Sequence, residues 1–303
     1  MYDIEAIYEA DSVSHAVELL RSHPGARVIA GGSDVLIQVR EGRLAGTVLV
    51  SIHCLDELRG VCLAEDGALC IGALTSFSHV SADPLIRRHI AVLGEAADTV
   101  GGPQIRNIGT IGGNVCNGVT SADTASTLVA YEAVMEYTGP EGAHRVPIAK
   151  HYVAAGKTAL ASDEILTAII IPQESYAGTA GHYIKYAMRE ALDIATIGCS
   201  ANIRLSVDRT IIERLRLAYG VAGPVPTRAF SAEAAANGKV ADADTVEKAA
   251  QAVLDDIKPR NSWRASAAFR SHLAVEMARR TITEAIARAR LGAGTTTIAG
   301  GGL

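Results

Sequence analysis

The apolar positions of the first fifty residues fall first at helical and then at strand spacing. Val13, Ala16, Val17 and Leu20 repeat at i, i+3, i+4 and i+7, which is one face of a helix. That helix follows Asp11 and is ended by Pro24-Gly25. Arg27 to Ala30 reads as a short buried strand, Gly31-Gly32-Ser33-Asp34 as a tight turn opening a second helix, and Thr47 to Ser51 as another strand. Residues 1–54 therefore read as a small α/β unit. Ala68 to Ala73 has strand character, and Leu85, His89, Val92 and Ala96 mark a helix starting near Pro84. Gly101 to Asn114 is rich in glycine and carries Pro103, so it reads as loop. Ala133 to Tyr137 and Glu164 to Ile171 are the next strands, and residues 55–172 form a second, strand-rich unit.

The pattern changes at a linker over Gln173 to Gly181. His182 to Met188 reads as a strand. Ile197, Cys199, Ala201, Ile203 and Leu205 alternate strictly, as do Leu215, Leu217 and Tyr219, with a turn at Val207-Asp208-Arg209. This predicts an antiparallel hairpin with one buried face. Beyond Pro226 the spacing becomes helical: Val246, Ala250, Val253, Leu254 and Ile257 form one stripe, and Phe269, Leu273 and Met277 begin another. Residues 178–290 thus make a third unit of antiparallel sheet and helices, and the Gly/Thr-rich residues 291–303 are expected to be a flexible tail. The fold class is α+β.

Composition excludes more than it specifies. The chain has 303 residues, 49% hydrophobic and 20% charged, with a net charge of -5. That is ordinary for a globular protein and gives no electrostatic case for nucleic acid or an anionic membrane. The start lacks a basic segment followed by an apolar one, so no signal peptide is expected. The apolar run Ile165 to Ile171 is too short to span a bilayer, and a cytoplasmic location is the default. The cysteines, Cys54, Cys62, Cys70, Cys116 and Cys199, are odd in number and include no Cys-x-x-Cys, which argues against disulfides, zinc or an iron–sulfur cluster on this chain. Cys54, Cys62 and Cys70 recur every eight residues and are expected to be buried small apolar groups. The nine histidines show no metal-ligand spacing.

Two glycine segments carry the candidate chemistry. In Val28-Ile29-Ala30-Gly31-Gly32-Ser33-Asp34-Val35-Leu36 a strand runs through two glycines into a helix start. Its backbone N–H groups could cradle a pyrophosphate. A plain βα turn capped by Ser33 or Asp34 is the alternative. The second segment is Gly101-Gly-Pro-Gln-Ile-Arg-Asn-Ile-Gly-Thr110-Ile-Gly-Gly113-Asn114, followed by Thr120-Ser-Ala-Asp123. It offers backbone donors, the Thr110 hydroxyl and the Asn114 amide to a phosphorylated, polyhydroxylated ligand. Ile105, Ile108 and Ile111 argue for a buried, ordered loop rather than a mobile one.

The spaced pair Ala30-Gly-Gly-Ser-Asp and Thr110-Ile-Gly-Gly-Asn resembles the two FAD signatures of the flavin subunits of molybdenum hydroxylases. Two further elements agree: Lys185-x3-Arg189-x3-Asp193-Ile-Ala195, and Asp163-Glu-Ile-Leu166 ahead of a strand ending at Pro172. Gly102-Pro-Gln-Ile-Arg-Asn107, Asn114-Val-Cys-Asn-Gly118 and Pro259-Arg-Asn-Ser-Trp-Arg-Ala-Ser266 are closest to the separate FAD subunit of bacterial xanthine dehydrogenases. The resemblance implies a vanillyl-alcohol-oxidase-like (PCMH-type) FAD-binding fold in two subdomains, with a C-terminal domain. It implies pyrophosphate contacts from residues 29–36, ligand contacts from Gly101, Thr110, Gly113, Asn114 and Asp123, Leu166 packed near flavin or adenine, and Lys185 near the flavin ring. Where animal members place an aromatic ring over the flavin, this chain has Thr99-Val100-Gly101.

The same resemblance implies an electron relay with no catalytic acid or base on this chain. Molybdopterin would reside on a large partner subunit and 2Fe-2S clusters on a small one, in a dimer of heterotrimers, with NAD+ as acceptor. The rivals are a nicotinate, aldehyde or carbon monoxide dehydrogenase flavin subunit, a self-contained flavin reductase, and a scaffold that has lost its flavin. Read from the residues, Lys185 is a cation on an apolar strand, either beside the flavin or on a sheet edge. Arg189 and Asp193 read as a structural ion pair. Trp263, between Arg260 and Arg264, reads equally as an interface residue or as an anchor for the last helix.

Overall fold

A computed structural model describes residues 2–292, so the tail expected at 291–303 lies almost wholly outside the described residues. The N-terminal unit is a parallel sheet in the order β1-β3-β2, built from β1 (Ile4–Glu9), β2 (Arg27–Ile29) and β3 (Thr47–Ser51). Helix α1 (Val13–Ser22) is capped by the Ser12 hydroxyl and buries Ala16, Val17 and Leu20 against the sheet. Helix α2 (Val35–Arg40) follows the glycine turn. This small core also takes in Leu55, Leu58, Leu74 and Ile165 from later in the chain.

The second sheet is antiparallel, in the order β4-β5-β10-β6-β7. Its strands are β4 (Val61–Leu63), β5 (Leu69–Gly72), β6 (Val134–Gly139), β7 (Gly142–Pro147) and β10 (Ile165–Ile171), with a small hairpin of β8 (Tyr152–Ala154) and β9 (Lys157–Thr158) beside it. Of the three regularly spaced cysteines, the β4–β5 hairpin sets Cys62 directly opposite Cys70, while Cys54 lies in the turn after β3. The expectation of burial fails there: Cys54 and Cys62 are exposed and Cys70 is half-buried. Strand positions on the outward face of an edge hairpin do not need to be apolar.

One face of this sheet is covered by α3 (Phe77–Ala82), α4 (Pro84–His89), α5 (Ala91–Asp98), α6 (Pro103–Ile108), α7 (Ile111–Cys116) and α8 (Ala125–Ala130). The single helix expected from Pro84 is two helices, broken at Ile90. The loop expected over Gly101 to Asn114 is largely helical. Pro103 opens α6 and Thr110 caps α7 with its hydroxyl, 3.0 Å from the Gly113 N–H. Pro at the first helical turn and Thr at the cap are start signals that outweigh the glycines. Ile111 is buried, but Ile105 and Ile108 are exposed.

The expected linker is ordered. Helix α9 (Ile148–His151) lies upstream of it, α10 (Gln173–Tyr176) lies within it, and Tyr176 is buried with its hydroxyl donating to the Gly67 carbonyl. The third sheet runs β11 (Ala180–Tyr186), β12 (Ile197–Leu205), β13 (Ile212–Gly220) and β14 (Thr227–Arg228). Its hairpin turns at Arg209, in the left-handed region at φ 62°. Helices α11 (Phe230–Ala236), α12 (Ala243–Ala252) and α13 (Ala267–Leu291) cover one face over Ile197, Cys199, Ala201 and Ile203.

The other face of β12 is also buried, which corrects the single-faced reading. Ser200 and Asn202 point at α8 and α10: the Thr127 hydroxyl donates to Ser200, and the Asn202 amide to the Ser175 carbonyl. A small polar group on a strand can face a core when its hydrogen bonds are met. Beside it, Glu132 accepts from Arg216 and Arg228, and Arg228 also pairs with Glu233 at 2.6 Å. Arg216 is nearly buried, and burial with nearby Arg214 lowers its pKa to about 10. Glu132→Ala would leave Arg216 facing this joint uncompensated. We predict a loss of about 2 kcal/mol in urea unfolding, below the figure for a fully buried pair because Glu132 is partly exposed.

Candidate functional site

The site begins where β2 ends. Residues Ile29 and Ala30 lead into Gly31 and Gly32, and Gly32 sits at φ +74°, a conformation that side chains resist. A Cβ on Gly31 would lie 1.9 Å from the carbonyl oxygen of Ile108. The turn is thus pressed onto the segment between α6 and α7, and the two glycine motifs, remote in sequence, meet here. Among the described residues, Asp34 makes no side-chain cap at the start of α2 and the Ser33 hydroxyl forms no hydrogen bond, so the plain capped-turn alternative is not what forms. Among the described residues, no protein acceptor is found for the backbone N–H groups of Gly31, Gly32, Ser33 or Asp34. Four successive unpaired donors at a turn have the chemistry of an anion cradle. Val35 and Leu36 begin the helix behind it, with the Leu36 N–H bonded to the Gly32 carbonyl.

The second segment contributes differently than its glycines imply. Its N–H groups are occupied: Ile111 donates to Thr75, Gly112 to Ala73, and Gly113 to the Thr110 hydroxyl. Gly112 is a packing position, because its Cβ would meet the Ala73 carbonyl at 2.5 Å. Gly113 is exposed, and a Cβ there would approach only the Thr110 oxygen. Asn114 accepts from the Thr124 hydroxyl at 2.6 Å through Oδ1, which leaves its amide N–H groups as donors to a ligand.

A buried ion pair closes the far side. Lys185 of β11 reaches Asp123 Oδ2 at 2.9 Å and the Thr99 carbonyl at 2.9 Å. Tyr183, two residues earlier on the same strand face, donates to Asp123 Oδ1 at 3.2 Å. The side chains of Lys185 and Asp123 are only 10% and 9% exposed, so Lys185 is not a solvated lysine on a sheet edge. Burial pushes the Asp123 carboxyl above its ordinary range, with Lys185 and Tyr183 opposing that rise. Burial and the adjacent Asp123 push the Tyr183 phenol well up. Gly101, at φ +48°, accepts the Leu192 N–H beside this pair.

Leu166 of β10 stands apart. It is 3% exposed within the second core, next to the bulge between Leu166 and Ala168, and offers a ligand almost no surface. Arg189 and Asp193 are paired at 3.8 Å, but Asp193 acts mainly as a turn cap, accepting the N–H groups of Met188 and Arg189. Tyr183 and Thr124 were missed from the sequence. Strand parity with Lys185 would have flagged Tyr183, whereas Thr124 shows no local signal.

Comparison with known proteins gives the family. Residues 2–174 match the family described as the FAD binding domain in molybdopterin dehydrogenase, and residues 182–285 match the CO dehydrogenase flavoprotein C-terminal domain. The xanthine dehydrogenase FAD-binding subunit of Escherichia coli O157:H7 is 44% identical, over 95% of this chain and 98% of that protein. The nicotinate dehydrogenase FAD-subunit of Eubacterium barkeri is 30% identical over 73% and 74%. The solved carbon monoxide dehydrogenase of Hydrogenophaga pseudoflava superposes with a TM-score of 0.90 at 30% identity, over 95% of this chain and 99% of that chain. The chain belongs to the FAD-binding subunits of the molybdenum hydroxylases, and it has their α+β FAD-binding fold with a C-terminal domain. No helix among the described residues is long and apolar enough to cross a membrane.

The two adjacent glycines separate packing from ligand access. Gly113→Val should still fold, with a small drop in melting temperature because the Thr110 hydroxyl 3.0 Å from the new Cβ must give way, and should lose most bound flavin because the side chain stands on the exposed side of the site. Gly112→Val should fail at the level of folding, read as a lower melting temperature and poor yield. Equal flavin content in folded Gly113→Val and wild type would remove Gly113 from the ligand site.

Proposed function

We propose that this chain is the flavin subunit of a xanthine-dehydrogenase-type enzyme, carrying electrons from 2Fe-2S clusters on a small partner subunit to NAD+. The observation that carries the flavin part is the run of unpaired N–H groups at Gly31 to Asp34, lying against Ile108. Such a run fits the pyrophosphate of FAD. Residues 29–36 would hold that group, Thr110, Gly113 and Asn114 the ribityl–phosphate portion, and Asp123 a hydroxyl of the ligand, with Gly101 nearby. Leu166 would act only through the packing beneath the site. The xanthine assignment is favoured by the 44% identity to a xanthine dehydrogenase FAD-binding subunit. Molybdopterin would sit on the large partner subunit, in a dimer of heterotrimers located in the cytoplasm.

FAD held here would supply the conversion between one-electron and two-electron transfer that such a relay requires. This chain's residues would bind and orient the flavin and set its surroundings. An unpaired lysine beside the ring would favour the reduced, anionic flavin. In the fold its charge is balanced by Asp123, so the two residues together present a nearly neutral pair.

Purified protein should release close to one FAD per chain on denaturation, and NAD+ should reoxidise the reduced flavin without oxygen. A colourless chain that takes up no FAD, alone or with its partner chains, would leave the scaffold reading. Reoxidation by oxygen but not by NAD+ would overturn the acceptor assignment. Asp123→Asn should unmask Lys185 and raise the flavin potential by tens of millivolts, about 30 mV for each 1.4 kcal/mol of preference for the reduced form. An unchanged potential in a flavin-loaded variant would place Lys185 away from the ring.

A further inference from the structure

The loop between α12 and α13 carries a concentration of positive charge that the flavin site does not use. Arg260, Arg264 and Arg270 line one pocket of about 330 Å³ with Asn261, Trp263, Thr120 and Ser121, a volume in the small-ligand range. No carboxylate lines it. None of the three arginines forms an ion pair among the described residues.

Their roles differ. Arg270 is buried and structural: it donates to the carbonyls of Thr196, Arg260 and Ala265 and to the Ser262 hydroxyl. Burial, then the charges of Arg260 and Arg264, lower its pKa. That local field is positive and uncompensated. The Arg260 side chain is exposed and finds no acceptor among the described residues. Arg264 stacks over the Trp263 ring at 4.2 Å, and its Nε–H is buried without an acceptor. Asn261 accepts the Ala267 N–H through Oδ1, which leaves its amide as a donor. Thr120 and Ser121, both hydroxyl-bearing, complete the lining. Trp263 is 77% exposed, an aromatic face backed by a guanidinium.

We infer that this pocket binds the adenosine diphosphate portion of the dinucleotide acceptor, with Arg260 and Arg264 on the phosphates and Trp263 under the base. Guanidinium groups pair with phosphate oxygens in two-point contacts, and an exposed indole offers a stacking surface to a base. The location fits an acceptor that must also reach the flavin. Thr120 and Ser121 lead directly to Asp123, Ala195 lies in the segment joining β11 to β12, and Arg270 is bonded to Thr196 beside it. The inference rests on the proposal that NAD+ is the acceptor, and it adds where on this chain that molecule is held.

Trp263 is the only tryptophan of the chain, so binding has its own reporter. The FAD-loaded full chain would be titrated with ADP-ribose, which carries the diphosphate but no nicotinamide, while tryptophan emission is followed. Saturable quenching is expected, with inorganic phosphate needed at far higher concentration. Arg260→Ala and Arg264→Gln should each weaken ADP-ribose binding about tenfold, the effect of one lost charged hydrogen bond, with FAD content unchanged. Unaltered emission, or equal quenching of both variants and wild type, overturns the inference. So does quenching by phosphate and ADP-ribose at the same concentrations, which marks simple anion attraction. A parallel measurement separates the two claims. If NAD+ reoxidises reduced wild type and Arg260→Ala with the same concentration dependence, the pocket is refuted and the acceptor stands. If NAD+ reoxidises neither, the acceptor proposal fails, while the ADP-ribose titration still decides whether the pocket binds the nucleotide.

Discussion

A carboxylate removed from water keeps its charge only when partners replace the lost hydration. Asp123 is held that way, by Lys185 on one oxygen and Tyr183 on the other. Lys185 is anchored in turn by the Thr99 carbonyl. The cluster joins three segments from separate parts of the chain: the end of α5, the approach to α8, and the first strand of the C-terminal sheet. The geometry on the far side of the flavin site therefore depends on how the C-terminal domain docks. Removing either charge strands the other in a nearly closed space, so the pair fixes the docking while adding little net charge to the site.

The two glycine segments divide the remaining work. The first exposes unpaired donors and the second supplies the surface they are pressed against. The unpaired N–H groups of the half-buried Gly31, Gly32 and Ser33 and of the exposed Asp34 are free to donate to a phosphate-bearing ligand. Gly31 and Gly112 are glycines because backbone lies where a Cβ would go, at Ile108 and Ala73 respectively. Gly113 is a glycine on the open side. The same residue type thus serves packing, turn geometry and access within one site.

The joint between the domains is polar where an apolar seam would have been simpler. Ser200, Asn202 and the Glu132–Arg216–Arg228–Glu233 cluster all lie on it, and Arg288 reaches back to Glu95 at 2.6 Å. Burying such groups rarely adds much net stability. Directional bonds do penalise a shifted register between sheet and helix, which suits a joint that positions Lys185.

Local pattern determined much of this protein. The α1 stripe, the strict alternation of β12 and the strand–glycine–helix order at residues 28–36 follow from spacing and residue type, which act over a few residues. The glycine-rich stretch from Gly101 was misread for the opposite reason: glycine lowers helix propensity locally, but Pro103, the Thr110 cap and packing against Ala73 and Phe77 decide the outcome. Periodicity could not show that both faces of β12 are covered, because Ser200 and Asn202 look solvent-facing until α8 arrives. Spacing placed Lys185 on a strand but could not supply its counter-ion, 62 residues away. Charge pairing, close backbone approach and two-sided burial are relations between distant segments, so only the tertiary structure could set them.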